Sequence, residues 1–148
     1  MDQNKKREVL ARLFETSKRE NGEEYIHFRL DVMDKENEAY PVYQAVSDAA
    51  YNSGLSHEFS YEITSHACDI LAEAEDWDND DDITERVDSA VPVYTSELMQ
   101  IYTADSFAVD EAADEYGNEG DSTKRAQMAW YSQIRDMVSS IRANLETV

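Results

Sequence analysis

A chain of 148 residues with 33 Asp and Glu against 13 Lys and Arg carries a formal charge of −20. Such a field opposes direct binding to nucleic-acid phosphates, and the single Cys68 excludes an internal disulfide and fits a reducing cytoplasm. Nine Tyr and two Trp within 41% hydrophobic residues separate it from a disordered acidic tail.

Four Gly and two Pro are few for a chain of hairpins, and the expectation is an all-α fold: a single helical domain, compact to elongated, of about six helices over residues 1–148. Residues 3–19 place Val9, Leu10, Leu13 and Phe14 on one side of a helix, with Lys5, Lys6, Arg7 and Arg12 as a solvated basic patch and Asn21-Gly22 as its C-cap. In residues 25–32 Ile26, Phe28, Leu30 and Val32 alternate with polar residues, which reads as one short strand. Lacking a ladder partner, that strand would pair across a dimer or be overridden into helix. Pro41 opens a helix through Tyr51 that ends at Asn52-Ser53-Gly54. Ser56 caps the next, where Phe59, Ile63, Ala67, Ile70, Leu71 and Ala74 recur at three- and four-residue steps. After the interruption at Asp76–Asp82 a short helix runs to Ser89. Pro92 begins another, with Tyr94, Leu98, Ile101 and Tyr102 on one stripe and Met99 beside it. Residues 104–121 are acidic and weakly patterned, and Ser122 or Thr123 starts the longest helix, with Tyr131, Ile134, Val138, Ile141, Leu145 and Val148 at three- and four-residue steps; Trp77 and Trp130 read as core or interface anchors. The start MDQNKKREVL lacks an apolar signal core, and no run approaches 18 apolar residues, so neither secretion nor a membrane span is expected.

The charge is regional. Between Glu58 and Glu119 there are 19 carboxylates and one base, Arg86, whereas residues 1–57 carry 11 acids and 8 bases and residues 120–148 carry 3 and 4. Concentrated like charge opposes the compact state, so a segment that keeps it while burying a core points to a partner that ordinarily receives an anion. The candidate surface comprises Glu73, Glu75, Asp76, Asp78, Asp80, Asp81, Asp82, Glu85, Asp88, Asp105, Asp110, Glu111, Asp114 and Glu115.

Chemistry has little to stand on. A calcium loop begun at Asp76 has acids at positions one, three, five and seven, but Asp81 occupies the position that needs Gly and Val87 the position that needs a bidentate Glu. His27, His57 and His66 have no i,i+4 partner, no second Cys accompanies Cys68, and no phosphate loop or nucleophile elbow occurs. Neither an enzyme nor a bound metal or cofactor is expected.

One segment says more. Asp81-Asp82-Ile83, then Asp88-Ser89-Ala90-Val91-Pro92-Val93-Tyr94, then Glu97-Leu98-Met99 resembles the Ocr family of phage antirestriction proteins, over roughly residues 80–103. It departs from that family in a longer N-terminal part, a shorter spacing from Asp82 to Asp88 and the lack of an extended acidic C-terminal tail. The resemblance implies a DNA mimic: an all-α homodimer in the host cytoplasm whose carboxylates stand in for phosphates in the DNA groove of a restriction enzyme, type I restriction–modification foremost. It also implies a two-fold interface on the helix of Pro92, Tyr94, Leu98, Met99, Ile101 and Tyr102. A dimer would carry twice −20, the charge of about 20 base pairs at about one charge per 1.7 Å of duplex. The expected partner is a host DNA-binding defence protein, with no direct nucleic acid and no membrane. A CRISPR effector is the neighbouring target, and an acidic adaptor or chaperone module for a basic protein is the reading that needs charge alone.

Overall fold

Asp2 sets the first helix: its carboxylate accepts from the Lys5 amide at 2.8 Å, and α1 spans Gln3–Leu10. The computed structural model describes residues 1–55, 57–90 and 122–148, with side chains throughout these except at 57–59 and 122–129. After α1 come β1 (Phe14–Lys18), β2 (Glu24–Phe28), a 3-10 turn (Asp31–Met33), α2 (Tyr40–Asn52), α3 (His57–Glu73), α4 (Asp80–Ser89) and α5 (Ser122–Leu145).

The all-α expectation is overturned by the hairpin. β1 and β2 pair antiparallel in the register Phe14↔Phe28, Glu15↔His27, Thr16↔Ile26, Ser17↔Tyr25 and Lys18↔Glu24. The strand expected near 25–32 therefore has a partner within its own chain, drawn from residues assigned to the first helix. Val9, Leu10 and Leu13 are buried as the helical spacing predicts. The helix nonetheless stops at Leu10, because Phe14 stacks on Phe28 with ring centroids 4.4 Å apart, and Phe28 packs edge-on to Tyr43 and Tyr61. Gly22, at φ 87°, serves the hairpin turn and not a helix end. Its amide donates to the Arg19 carbonyl at 2.9 Å, and the Arg19 amide to the Glu23 carbonyl at 2.8 Å. The alternation past Phe28 does not extend the strand: Leu30 is 76% exposed and Val32 is buried within the 3-10 turn. Of about six expected helices the described residues show five.

α5 is the spine, 24 residues long. Trp130, Ile134, Met137, Val138, Ile141 and Leu145 form its buried stripe, which packs along α3 and reaches α2 and α4. α1 lies on α3 and α2. One cluster of buried side chains joins all five helices with Phe28 of the hairpin. Cys68, 1% exposed, sits within it, and burial pushes its thiol far above the ordinary range, so it acts as a small core residue.

α1 also corrects the reading of its basic residues as a solvated face. Lys6 is buried and its ammonium donates to the Leu145 carbonyl at 2.6 Å, at the C-terminal end of α5. Arg7 Nε donates to the Ala72 carbonyl at 3.1 Å, in the last turn of α3. Helix C-termini leave carbonyls without intrahelical partners and carry the negative end of the macrodipole, so both cations bond groups that favour them; the Leu145 carbonyl also accepts from the Val148 amide at 3.1 Å.

Candidate functional site: the acidic turn and its helix

Between α3 and α4 the chain reads Ala74-Glu-Asp-Trp-Asp-Asn79, and burial divides it cleanly. Ala74 and Trp77 face the core, while Glu75, Asp76 and Asp78 face solvent. Trp77 Nε1 donates to the Leu71 carbonyl at 2.8 Å, which ties the turn to the helix it leaves. The Asp76 carboxylate accepts from the Asp78 amide at 2.9 Å, and the Asn79 amide donates to the Asp76 carbonyl at 3.2 Å. Asn79 then caps α4, its Oδ1 accepting from the Asp82 amide at 3.1 Å. Asp80, Asp81 and Asp82 fill the first turn, where the positive end of the helix dipole favours anions.

α4 buries Ile83 and Val87, one turn apart, against the core. That fixes Asp81, Glu85 and Asp88 on an exposed stripe. At 1.5 Å rise per residue their axial steps are about 6 Å and about 4.5 Å.

The candidate carboxylates fall into two groups. Asp82 pairs with Arg86 at 3.2 Å and Glu73 with the same guanidinium at 3.5 Å. Asp80 is reached at 3.2 Å by Arg142 of α5, which also donates to the Trp77 carbonyl at 2.7 Å. Glu75, Asp76, Asp78, Asp81, Glu85 and Asp88 have no ion pair among the described residues. Asp105, Asp110, Glu111, Asp114 and Glu115 lie outside the described residues, and so does the expected interface of Pro92, Tyr94, Leu98, Met99, Ile101 and Tyr102.

One further carboxylate stands beside this surface. Asp69 of α3 belongs to the exposed residues, yet its carboxyl lies close enough to the body of the protein for desolvation to raise its pKa. Glu73 adds to the rise and His66 opposes it. The His66 ring meets Trp130 edge-on at 5.1 Å.

Alternating acids do not make a cation cage here. Asp76 and Asp78 belong to the turn, whereas Asp80 and Asp82 are helical and each engages an arginine. Among the described residues no group of three His, Cys, Asp or Glu side chains converges to hold a metal. A cleft of about 150 Å³ separates α4 from α5, with Ile83, Val87 and Val138 on its walls and Asp80, Arg135 and Arg142 at its edge. His27 sits apart in the hairpin, within 2.7 Å of Ser17 Oγ and 2.8 Å of the Phe28 carbonyl. No helix among the described residues is long and apolar enough to cross a membrane.

Sequence reasoning missed the residues that frame the turn. Gln3 Nε2 donates to the Glu75 carbonyl at 2.8 Å, joining Arg7 at Ala72 and Arg142 at Trp77. Their partners are 72, 65 and 65 residues distant in sequence, beyond the reach of any local pattern. Comparison with known protein families, curated proteins and solved structures returns no match to this chain.

Proposed function

We propose that the chain is a DNA mimic that occupies the DNA-binding groove of a host defence complex, with a type I restriction–modification enzyme as the foremost target. The observation that carries this reading is the set of six carboxylates without an ion pair among the described residues, on a braced turn and one exposed helix stripe: Glu75, Asp76 and Asp78 followed by Asp81, Glu85 and Asp88. Axial steps of about 4.5 to 6 Å along that stripe span one to two phosphate steps of about 3.4 Å per strand. A groove lined with Lys and Arg does not separate carboxylate from phosphate by charge, so spacing on a rigid support selects the partner. The Ocr-like segment supports the same target, and the resemblance implies a two-fold contact through Tyr94, Leu98, Met99, Ile101 and Tyr102. The mechanism is occlusion: the mimic and duplex compete for one groove, no bond is made or broken, and the site of action is the host cytoplasm.

Displacement of fluorescent duplex from a purified type I restriction enzyme at low salt tests this. The expected result is competitive loss of bound duplex that weakens as salt rises, since the Debye length falls from about 10 Å at 0.1 M to about 3 Å at 1 M. Unchanged duplex binding under excess protein rules out that target. The same titration against a CRISPR effector then decides whether the mimic serves the neighbouring defence system. The charge of −20 alone also supports an acidic adaptor for a basic protein. That alternative differs by depending on total charge and not on position.

A further inference from the structure

The acidic turn is braced by donors from the two ends of the chain. Arg7 and Gln3 of α1 take the carbonyls of Ala72 and Glu75, and Arg142 of α5 takes that of Trp77. These three carbonyls punctuate the stretch that presents Glu73, Glu75, Asp76 and Asp78. Lys6, buried between α1 and the end of α5 at Leu145, ties the two arms of the brace together. Two of the three donors are cations standing beside a surface whose attraction for a basic partner they reduce. Charge alone gives no reason for placing them there, whereas the carbonyls do: that of Ala72 lies in the last turn of α3, and that of Trp77 in the turn beyond it. The last carbonyls of α3 lack intrahelical partners and carry partial negative charge, and a charge-assisted hydrogen bond satisfies them more strongly than a neutral one.

We infer that Gln3 and Arg7, with Arg142 opposite and Lys6 locking α1 to α5, are positioning residues for the acidic turn. They hold residues 72–79 in one conformation, and so set the spacing of Glu75, Asp76 and Asp78 relative to the α4 stripe. Recognition of the partner thereby depends on cations that weaken the long-range attraction. The functional half rests on the DNA-mimic reading, while the structural half rests on the hydrogen bonds.

Adjacent residues of α1 supply the test. Arg7→Met and Lys5→Met change the net charge by the same single unit, but Lys5 pairs with the exposed Glu38 and touches none of the turn's carbonyls. Amide hydrogen exchange over residues 74–79 is compared in wild type, Lys5→Met, Arg7→Met, Arg7→Lys and the uncharged Gln3→Ala. The same proteins then displace fluorescent duplex from a type I restriction enzyme well below their melting temperatures. Exchange is expected to quicken about tenfold or more in Arg7→Met, as for loss of one charge-assisted hydrogen bond. Gln3→Ala should show a smaller rise, Arg7→Lys should recover most of the protection, and Lys5→Met should match wild type. Displacement should strengthen slightly in Lys5→Met, which is more negative, and weaken in Arg7→Met, which is equally more negative. Equal exchange in Arg7→Met and Lys5→Met overturns the brace whatever the displacement shows. Faster exchange with displacement as strong as in Lys5→Met overturns its role in recognition. Faster exchange in a protein whose wild type displaces no duplex leaves the brace standing and removes the type I enzyme as the target instead.

Discussion

The N-terminal region and the acidic turn treat charge in opposite ways. Within residues 1–57, Lys5 pairs with Glu38, Lys6 and Arg7 hold helix-end carbonyls, Arg12 bonds the Glu8 carbonyl, Arg19 lies over the Tyr25 ring and Arg29 pairs with Asp31. From Glu73 through α4, six of nine candidate carboxylates have no ion pair among the described residues, and of the two arginines that approach the others Arg86 bonds carboxylates and Arg142 bonds the Trp77 carbonyl as well as Asp80. Nearly balanced charge in one region goes with cations used as structural bolts. The excess in the other is displayed on a frame built from elsewhere. Net charge counted along a sequence does not reveal this, because the partner of a cation is often a helix-end carbonyl and not a carboxylate.

The largest expected effect comes from removing the frame and leaving every charge in place. Trp77→Ala deletes a side chain 7% exposed together with its bond to Leu71, and should cost about 3–5 kcal/mol in urea unfolding. A loss under about 1 kcal/mol would mean that the turn is not anchored through its indole.

Lys6→Met comes next. It keeps the length of the stem and removes the charged donor from the Leu145 carbonyl, which the Val148 amide still reaches at 3.1 Å, so a loss of about 0.5–1.5 kcal/mol in the same unfolding measurement is expected. An unchanged midpoint would return Lys6 to the solvated face that the sequence suggested.

Removing the display should barely touch stability. Asp81→Asn with Glu85→Gln and Asp88→Asn lies on an exposed stripe, and the unfolding free energy should stay within about 0.5 kcal/mol or rise slightly as repulsion is relieved. A loss of several kcal/mol would show that the stripe supports the fold.

The smallest expected effect is the pH response of Asp69. Desolvation raises its native pKa, so between the unfolded value and the native one the fold holds more protons than the unfolded chain. Stability from this group is present at low pH and lost as pH rises through the native pKa, and Asp69→Asn should flatten the thermal-melt profile in the mildly acidic range above about pH 4. Glu38 has the opposite sign, because the hydrogen bond from Lys5 lowers its pKa. That pair is exposed and should contribute little.

Much of the helical frame was legible. Pro41 and Asn52-Ser53-Gly54 bracket α2 to within a residue, Ser122 opens α5, and of the predicted stripes Ile63, Ala67, Ile70, Leu71, Ile134, Val138, Ile141 and Leu145 are buried, while Tyr131 and Val148 are half-buried. The carboxylates of α4 were legible as an acidic run, but not which of them face outward, because that follows from the burial of Ile83 and Val87. The hairpin was not, because Phe14-Glu-Thr-Ser-Lys18 has one apolar residue and hence no alternation to detect. Its pairing is a tertiary fact fixed by Phe14 and Phe28. Asn21-Gly22 serves a helix end and a hairpin turn equally well. Lys6, Gln3 and Arg142 were invisible for a related reason: each acts on a carbonyl, which every residue has, far away in sequence.

Position against quantity of charge is decided most directly by two triple variants that remove equal charge. One is Asp81→Asn, Glu85→Gln, Asp88→Asn on the α4 stripe. The other is Glu20→Gln, Glu23→Gln, Glu36→Gln in the exposed N-terminal loops. Their midpoints for displacing fluorescent duplex from a type I restriction enzyme are compared at one salt concentration with that of wild type. A DNA mimic predicts a large loss for the first and displacement close to wild type for the second. Equal weakening of the two would contradict it and leave an acidic binder governed by total charge.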